Sequence, residues 1–311
     1  LQEAGKNNMH VALRGDLRKK GELVPRRFIQ ILAGESPSPY TEGSGRRELA
    51  QSVTAPDNPL TARVIVNRVW QWHFGKALVR TPSNFGVLGE KPTHPQLLDW
   101  LAHDFVEHGW SLKRLHRQIM LSSTWQMSSR FDKEKFTVDG DNNFLWRMNP
   151  RRLEVESWRD SLLAVTGELD QRVGGKPDGE ILRSKRRTLY ATISRTGDRF
   201  ESDAFLRLFD FPAAVSTSAS RPTSTVPQQY LFMMNSPFMN ERARTLGDHL
   251  NGLKEPIFER IKRAYQQLYS RFPDPAEIEL GKQWLGDNLS SKSWHQYAQV
   301  LLSAHELIQI Q

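Results

Sequence analysis

One block restricts the fold more than any other: from Pro59 to about Lys76, Val64, Ile65, Val66, Val69, Trp70, Trp72 and Phe74 leave a helix almost no polar face. Asp57-Asn58-Pro59 gives that helix a cap and a first-turn proline. A helix that is apolar nearly all round must be enclosed, so this one is expected at the centre of a body built from further elements.

The following segments supply helices. Thr93-His94-Pro95-Gln96 reads as a capping box opening a helix to about His108, with Leu97, Leu98, Leu101 and Phe105 as its stripe. Gly109 stops it, and Ser111 caps another to about Ser123 on Leu112, Leu115, Ile119 and Met120. So short a turn predicts an antiparallel pair. A further helix spans about Leu153 to Leu169, on Leu153, Trp158, Leu162, Leu163 and Val165. Another starts near Pro227, bends at Asn235-Ser236-Pro237 and ends near Leu250. Helices at about 254–270, 275–289 and 292–305 close the chain, the middle one opened by Asp274, Pro275 and Glu277.

Other stretches lack the helical period. Residues 1–55 are broken by Arg14-Gly15-Asp16, Gly34-Glu35-Ser36-Pro37-Ser38-Pro39 and Glu42-Gly43-Ser44-Gly45, and are expected as an extended arm on the body. Between about 183 and 195 the period drops to two, Leu189, Ala191 and Ile193 alternating with Thr188, Tyr190 and Thr192, which predicts a strand. Phe211 to Pro227, rich in Ser, Thr and Pro, predicts a loop. The reading is a mainly α, irregular multi-helix domain with a short β element near 187–195. It divides into an N-terminal arm (1–55), a main helical domain (56–250) and a C-terminal helical lobe (251–311).

The chain has no cysteine, which excludes a disulfide framework, a thiolate metal site, an iron–sulfur cluster and covalent haem within it. No cofactor is expected in this segment, and no metal. No apolar run approaches the roughly 20 residues that span a bilayer, so no transmembrane segment is expected. The start, Leu1-Gln2-Glu3-Ala4-Gly5-Lys6, has neither an initiator Met nor a signal-peptide core, and the chain is expected to be a piece of a larger protein. The net charge of +8 suits anionic partners. Its basic runs, such as Arg18-Lys19-Lys20, Arg151-Arg152 and Lys185-Arg186-Arg187, are scattered in the manner of an ordinary solvated surface.

Words along nearly the whole chain carry a resemblance. Asn58-Pro59-Leu60-Thr61-Ala62-Arg63-Val64, Asn67-Arg68-Val69-Trp70 and His73-Phe74-Gly75 come first. Thr81-Pro82, Asn84-Phe85-Gly86, Pro92-Thr93-His94-Pro95, Leu98-Asp99-Trp100-Leu101 and Gly109-Trp110-Ser111-Leu112-Lys113 follow. Then come Arg151-Arg152-Leu153-Glu154, Arg159-Asp160, Arg187-Thr188-Leu189-Tyr190, Phe209-Asp210, Pro227-Gln228, Asn235-Ser236-Pro237-Phe238 and Leu301-Leu302-Ser303-Ala304. In this order they resemble the domain-of-unknown-function 1553 family of planctomycetes, verrucomicrobia and their relatives. The resemblance implies a C-terminal module of exported, periplasmic or extracellular proteins. These often carry a cytochrome-c-like segment and a second family-specific domain upstream, so upstream domains are the implied partners. Members often have a Cys near the Ser/Thr-rich loop; Ser216 to Ser220 has none, and no role for that thiol carries over. No catalytic assignment comes with the resemblance.

Several constellations admit both a functional and a structural reading. Arg63, Asn67, Arg68 and Trp70 on the apolar helix form either a pocket wall or a buried polar network, the commoner solution because an unpaired buried charge costs several kcal/mol. His73 and His94, with Asp99 as an orienting carboxylate, suit proton transfer if they share a cleft. Asp99 with His103, His103 with Glu107 and Asp104 with His108 have the i,i+4 spacing of metal ligands, and equally of a salt-bridged helix face. Glu154, Glu156 and Asp160 offer paired carboxylates for glycoside chemistry, or ion-pair partners for Arg151, Arg152 and Arg159. Around the Ser/Thr-rich loop, Arg195, Arg199, Arg221, Gln228, Gln229 and Tyr230 are the expected ligand contacts, since Arg grips sulfate or carboxylate with two parallel bonds. No phosphate-cradling loop, dinucleotide fingerprint or nucleophile elbow is present.

The expected role is an accessory or binding module contacting acidic polysaccharide or a partner domain. A glycan-active hydrolase or lyase with His/carboxylate chemistry is the alternative. Nucleic-acid binding rests on charge alone and is not the expected role.

Overall fold

The structure, a computed structural model, describes residues 7–286 and 290–310. The chain falls into two compact units, one ending at Met148 and the other starting at Asn149.

In the first unit, β1 (Met9–Ala12) pairs antiparallel with β2 (Lys20–Val24), with a register shift between His10 and Ala12. Two helices follow, α1 (Gln30–Ala33) and α2 (Arg46–Thr54), inside the stretch expected as an extended arm. α2 forms because Glu48 in its first turn accepts from the Thr41 and Glu42 amides (2.9 and 3.1 Å), folding the glycine-rich loop back onto the helix start. The apolar helix is α3 (Thr61–Phe74), opened by Asn58, whose side chain accepts from the Leu60 and Thr61 amides at 3.0 and 3.4 Å. Its Val66, Val69, Trp70 and Phe74 share a core with Leu98, Leu101 and Phe105 of α4 (Pro95–Glu107) and with Leu115 and Ile119 of α5 (Leu112–Met120). Burial is not all-round, because Trp72 is 57% exposed.

Ser111 caps α5 by accepting from the Arg114 amide. The capping box at Thr93 does not form: no side chain caps α4, and Thr93 instead donates its amide to the Leu78 carbonyl at 2.9 Å. A short helix that the sequence pattern did not announce, α6 (Lys133–Val138), is capped by Asp132.

In the second unit, β3 (Arg151–Arg152) precedes α7 (Val155–Val165), α8 (Glu201–Leu208), α9 (Pro227–Asn235) and α10 (Pro237–Gly252). The break between the last two falls at Ser236, whose hydroxyl caps α10 through the Met239 amide. α11 (Ile257–Tyr269), α12 (Pro275–Leu285), α13 (Ser291–Leu302) and α14 (His305–Ile308) follow, and β4 (Gln309–Ile310) pairs antiparallel with β3. The end expected for the 275–289 helix lies partly outside the described residues. Asp274 and Glu277 form the predicted reciprocal cap.

Trp158 and Leu162 of α7, Phe205, Leu246 of α10, Ile261 of α11 and Trp294 of α13 lie in one core. The helices after residue 251 thus turn their apolar faces into the core that α7 and α10 build, and they belong to this unit. α10 and α13 approach backbone to backbone at Gly247, where an added Cβ would lie 2.8 Å from the His295 amide nitrogen and 2.9 Å from its Cα.

The strand expected at 187–195 is absent. The segment makes a 3-10 turn at Thr188–Tyr190 and only single bridges, Asp178 to Ala191 and Asp170 to Arg186. Its alternation is inverted, with Thr188 3% and Leu189 72% exposed. Asp160 is the cause: one carboxylate oxygen accepts from both the Thr188 amide (2.7 Å) and its hydroxyl (2.6 Å), drawing the polar side chain inward. With β pieces confined to two small two-stranded pairings, the described chain is mainly helical. No helix among the described residues is long and apolar enough to cross a membrane.

Candidate binding groove

α7 places Ser157, Ser161 and Ala164, spaced i, i+4 and i+7 and hence on one helix face, along an open cleft of about 750 Å³. Arg187, Thr188, Leu189 and Ile193 line it from the turn, and Phe211 and Arg221 from the Ser/Thr-rich loop.

The acidic side chains of α7 and its cap are engaged in this lining. Both Glu156 oxygens accept from the two terminal nitrogens of Arg221 (2.7 and 2.8 Å), and Glu154 lies 3.4 Å from the same guanidinium. That guanidinium also stacks on Phe211, 5.1 Å from the ring centre. The hydrogen bond to Glu156 raises the Arg221 pKa above its ordinary value, against the opposing effect of burial. Asp160, beyond its bonds to Thr188, lies 3.6 Å from Arg159 and 3.6 Å from Arg187. Arg187 is therefore held loosely, with 53% of its side chain exposed.

Arg159 fastens the turn from beneath. Fully buried, it donates to the carbonyls of Ile181, Ser184 (2.5 Å) and Arg186 (2.9 Å) and to the Thr188 hydroxyl (3.1 Å). Burial pushes its pKa down to about 10, with the Asp160 charge pulling the other way.

Asp203 fixes the next loop by accepting from the amides of Ser194 (2.8 Å), Arg199 and Phe200 (3.1 Å each). Burial alone would raise its pKa, but these backbone bonds outweigh it and hold the carboxyl below its ordinary value. A depressed folded pKa stabilises above the unfolded value of about 3.9, and the contribution is lost as pH falls through the folded value. Asp203→Asn is accordingly expected to lower stability at neutral pH, with the gap to the native protein closing below about pH 4 in urea unfolding.

Of the expected ligand contacts, Arg221 lines the groove. Arg195 and Arg199 are exposed on the loop that Asp203 fixes, and neither side chain has an ionic partner among the described residues. Gln228 and Tyr230 are exposed on α9. Gln229 is not available: 2% exposed, it donates to the Leu208 carbonyl (2.9 Å) and accepts from Arg152 (3.3 Å). Arg152 in turn engages Asp210 and the Ser224 carbonyl. Arg187, Ser157 and Ser161 were missed, although small residues at i and i+4 on an otherwise bulky helix are a readable signal.

The polar set of the first unit is dispersed. Asn67, fully buried, donates to the Val79 carbonyl (3.0 Å) and accepts from the Val79 amide (2.8 Å). Arg63 bonds Asp99 (2.7 Å), Arg68 reaches Ser83 (3.5 Å), and Trp70 stacks on Phe74. His73 turns to His116 (2.7 Å), His94 to Thr93 (3.0 Å) and Asp99 to Arg63 (2.7 Å). His103 pairs with Glu107 on the surface, and Asp104 is taken by Arg114, Gln118 and His108. No group of three or more metal-ligating side chains occurs among the described residues.

These features define a mainly helical, cysteine-free protein of two units, with an arginine-laced groove on the second. The chain belongs to the PSD1 family, described as proteins of unknown function (DUF1553), whose family model matches residues 45–285. Neither the curated proteins nor the solved structures contain a match to it.

Proposed function

We propose that the chain is a binding module of a larger exported protein, and that the α7 groove receives acidic polysaccharide. The observation that carries this reading is the state of the groove's charges. Glu156 is closed on both oxygens by Arg221 and Asp160 is bonded to Thr188, so these carboxylates organise the lining, while Arg187 stays loosely held and open. A guanidinium with uncommitted N–H groups suits a ligand carboxylate or sulfate. Ser157 and Ser161 supply hydroxyls, and the exposed Leu189 and Ile193 suit the apolar face of a sugar ring. Export and upstream partner domains come from the family likeness and belong to the same proposal.

Calorimetric titration with oligogalacturonate and with sulfated oligosaccharides tests it. Arg187→Ala is expected to weaken binding by roughly tenfold or more, the worth of one hydrogen bond to a charged group at about 1.5–3 kcal/mol. Circular dichroism should be unchanged, since the side chain is exposed. No binding to any uronic or sulfated saccharide, or an affinity indifferent to Arg187→Ala, would remove the groove from consideration.

A further inference from the structure

The first unit carries a separate open cleft of about 680 Å³, lined between Met127 and Trp146. Its lining has three features that a plain surface dent lacks. The Trp146 ring is fixed, because its N–H donates to the Asp139 carbonyl at 2.8 Å. The Arg147 guanidinium lies 4.9 Å from the Trp146 ring centre and 5.4 Å from that of Phe131, which is itself 55% exposed. This guanidinium sets both rings at the cleft edge, a cation–aromatic stack that holds apolar surface against solvent. The third feature is charge that the fold does not use. Arg130 and Lys133 are exposed in the lining, and neither side chain has a hydrogen-bond or ionic partner among the described residues. Asp132, by contrast, is committed to the Glu134 and Lys135 amides at 3.0 and 3.1 Å.

We propose that this cleft is a second saccharide site, for a sugar unit bearing a carboxylate or sulfate. The anionic group would take Arg130 and Lys133, the ring would lie against Phe131 and Trp146, and hydroxyls would donate to Glu134. A mixed lining of this kind suits a hydroxyl-rich chain better than a nucleic acid. Stacking of successive bases needs whole free ring faces, whereas one sugar ring packs on the part of the Phe131 surface that Arg147 and Phe136 leave open, Phe136 lying 5.4 Å away between ring centres. The residues differ from those of the α7 groove, so either site is able to fail alone.

The test titrates a short oligogalacturonate, a sulfated disaccharide and a single-stranded oligonucleotide into three proteins: the native chain, Arg130→Ala/Lys133→Ala, and Arg187→Ala. All three substituted side chains are exposed, so folding is preserved. The expected stoichiometry is two saccharides per native chain, falling to one in the double variant, with the cleft site intact in Arg187→Ala. A shared preference for the uronic or the sulfated ligand identifies the anion. A stoichiometry unchanged by Arg130→Ala/Lys133→Ala overturns the cleft site and leaves the groove standing. One site that disappears only in the double variant supports the cleft and removes the groove. Displacement of the saccharide by the oligonucleotide at the cleft, or no saccharide binding at all, overturns the proposal.

Discussion

Replacing Arg159 by Leu is expected to destabilise the second unit by about 3–5 kcal/mol, the cost of removing one partner from a buried charged network. The reason lies in what the guanidinium leaves behind. The carbonyls of Ile181, Ser184 and Arg186 all accept from a fully buried side chain, and Leu offers them no donor. Asp160 would keep its bonds to Thr188 but lose the cation 3.6 Å away. Lys at this position is expected to rescue little, because one ammonium cannot reach acceptors spread around a planar fork. Urea unfolding of the variant measures the loss, and a change within about 1 kcal/mol would mean that the turn is held by its other contacts. Because that turn carries Arg187 and Thr188, saccharide binding should fall together with stability.

Asn67→Leu is expected to cost about 2–6 kcal/mol, since it strands two buried backbone groups at about 1–3 kcal/mol each. Asn67 closes a two-bond ring with Val79, and the shape-matched Leu restores volume but neither bond. The effect belongs to the first unit, so it should leave Arg187-dependent binding intact. Denaturant unfolding followed beside saccharide titration separates the two outcomes. A loss of less than about 1 kcal/mol would show that Val79 finds other partners.

What was legible in the sequence was local. The helix of Trp158 and Leu162 announces itself by apolar period, that of Leu115 and Ile119 by apolar period and the Ser111 cap, and the helix at Pro275 by its Asp274–Glu277 cap. Thr93 carried the same signal without forming the cap, because the Leu78 carbonyl competes for its amide. The segment at Thr188 has a strand's alternation, yet Asp160, 28 residues away, inverts it. The groove was illegible for the same reason. Arg221 and Glu156 are 65 residues apart, and no spacing rule pairs them ahead of the arginines that sit beside Glu156 in the chain. His73 likewise meets His116, 43 residues on. Only the small-residue face of Ser157, Ser161 and Ala164 is locally legible, on a helix whose Trp158 and Leu162 are core positions.

Hydrogen–deuterium exchange of the native chain, with and without saturating oligogalacturonate, probes the groove without any substitution. Amides in 187–193 and 211–224 are expected to exchange more slowly with ligand bound, with Arg187→Ala abolishing that protection. Unaltered exchange in both segments while the saccharide is bound would contradict a ligand seated on α7.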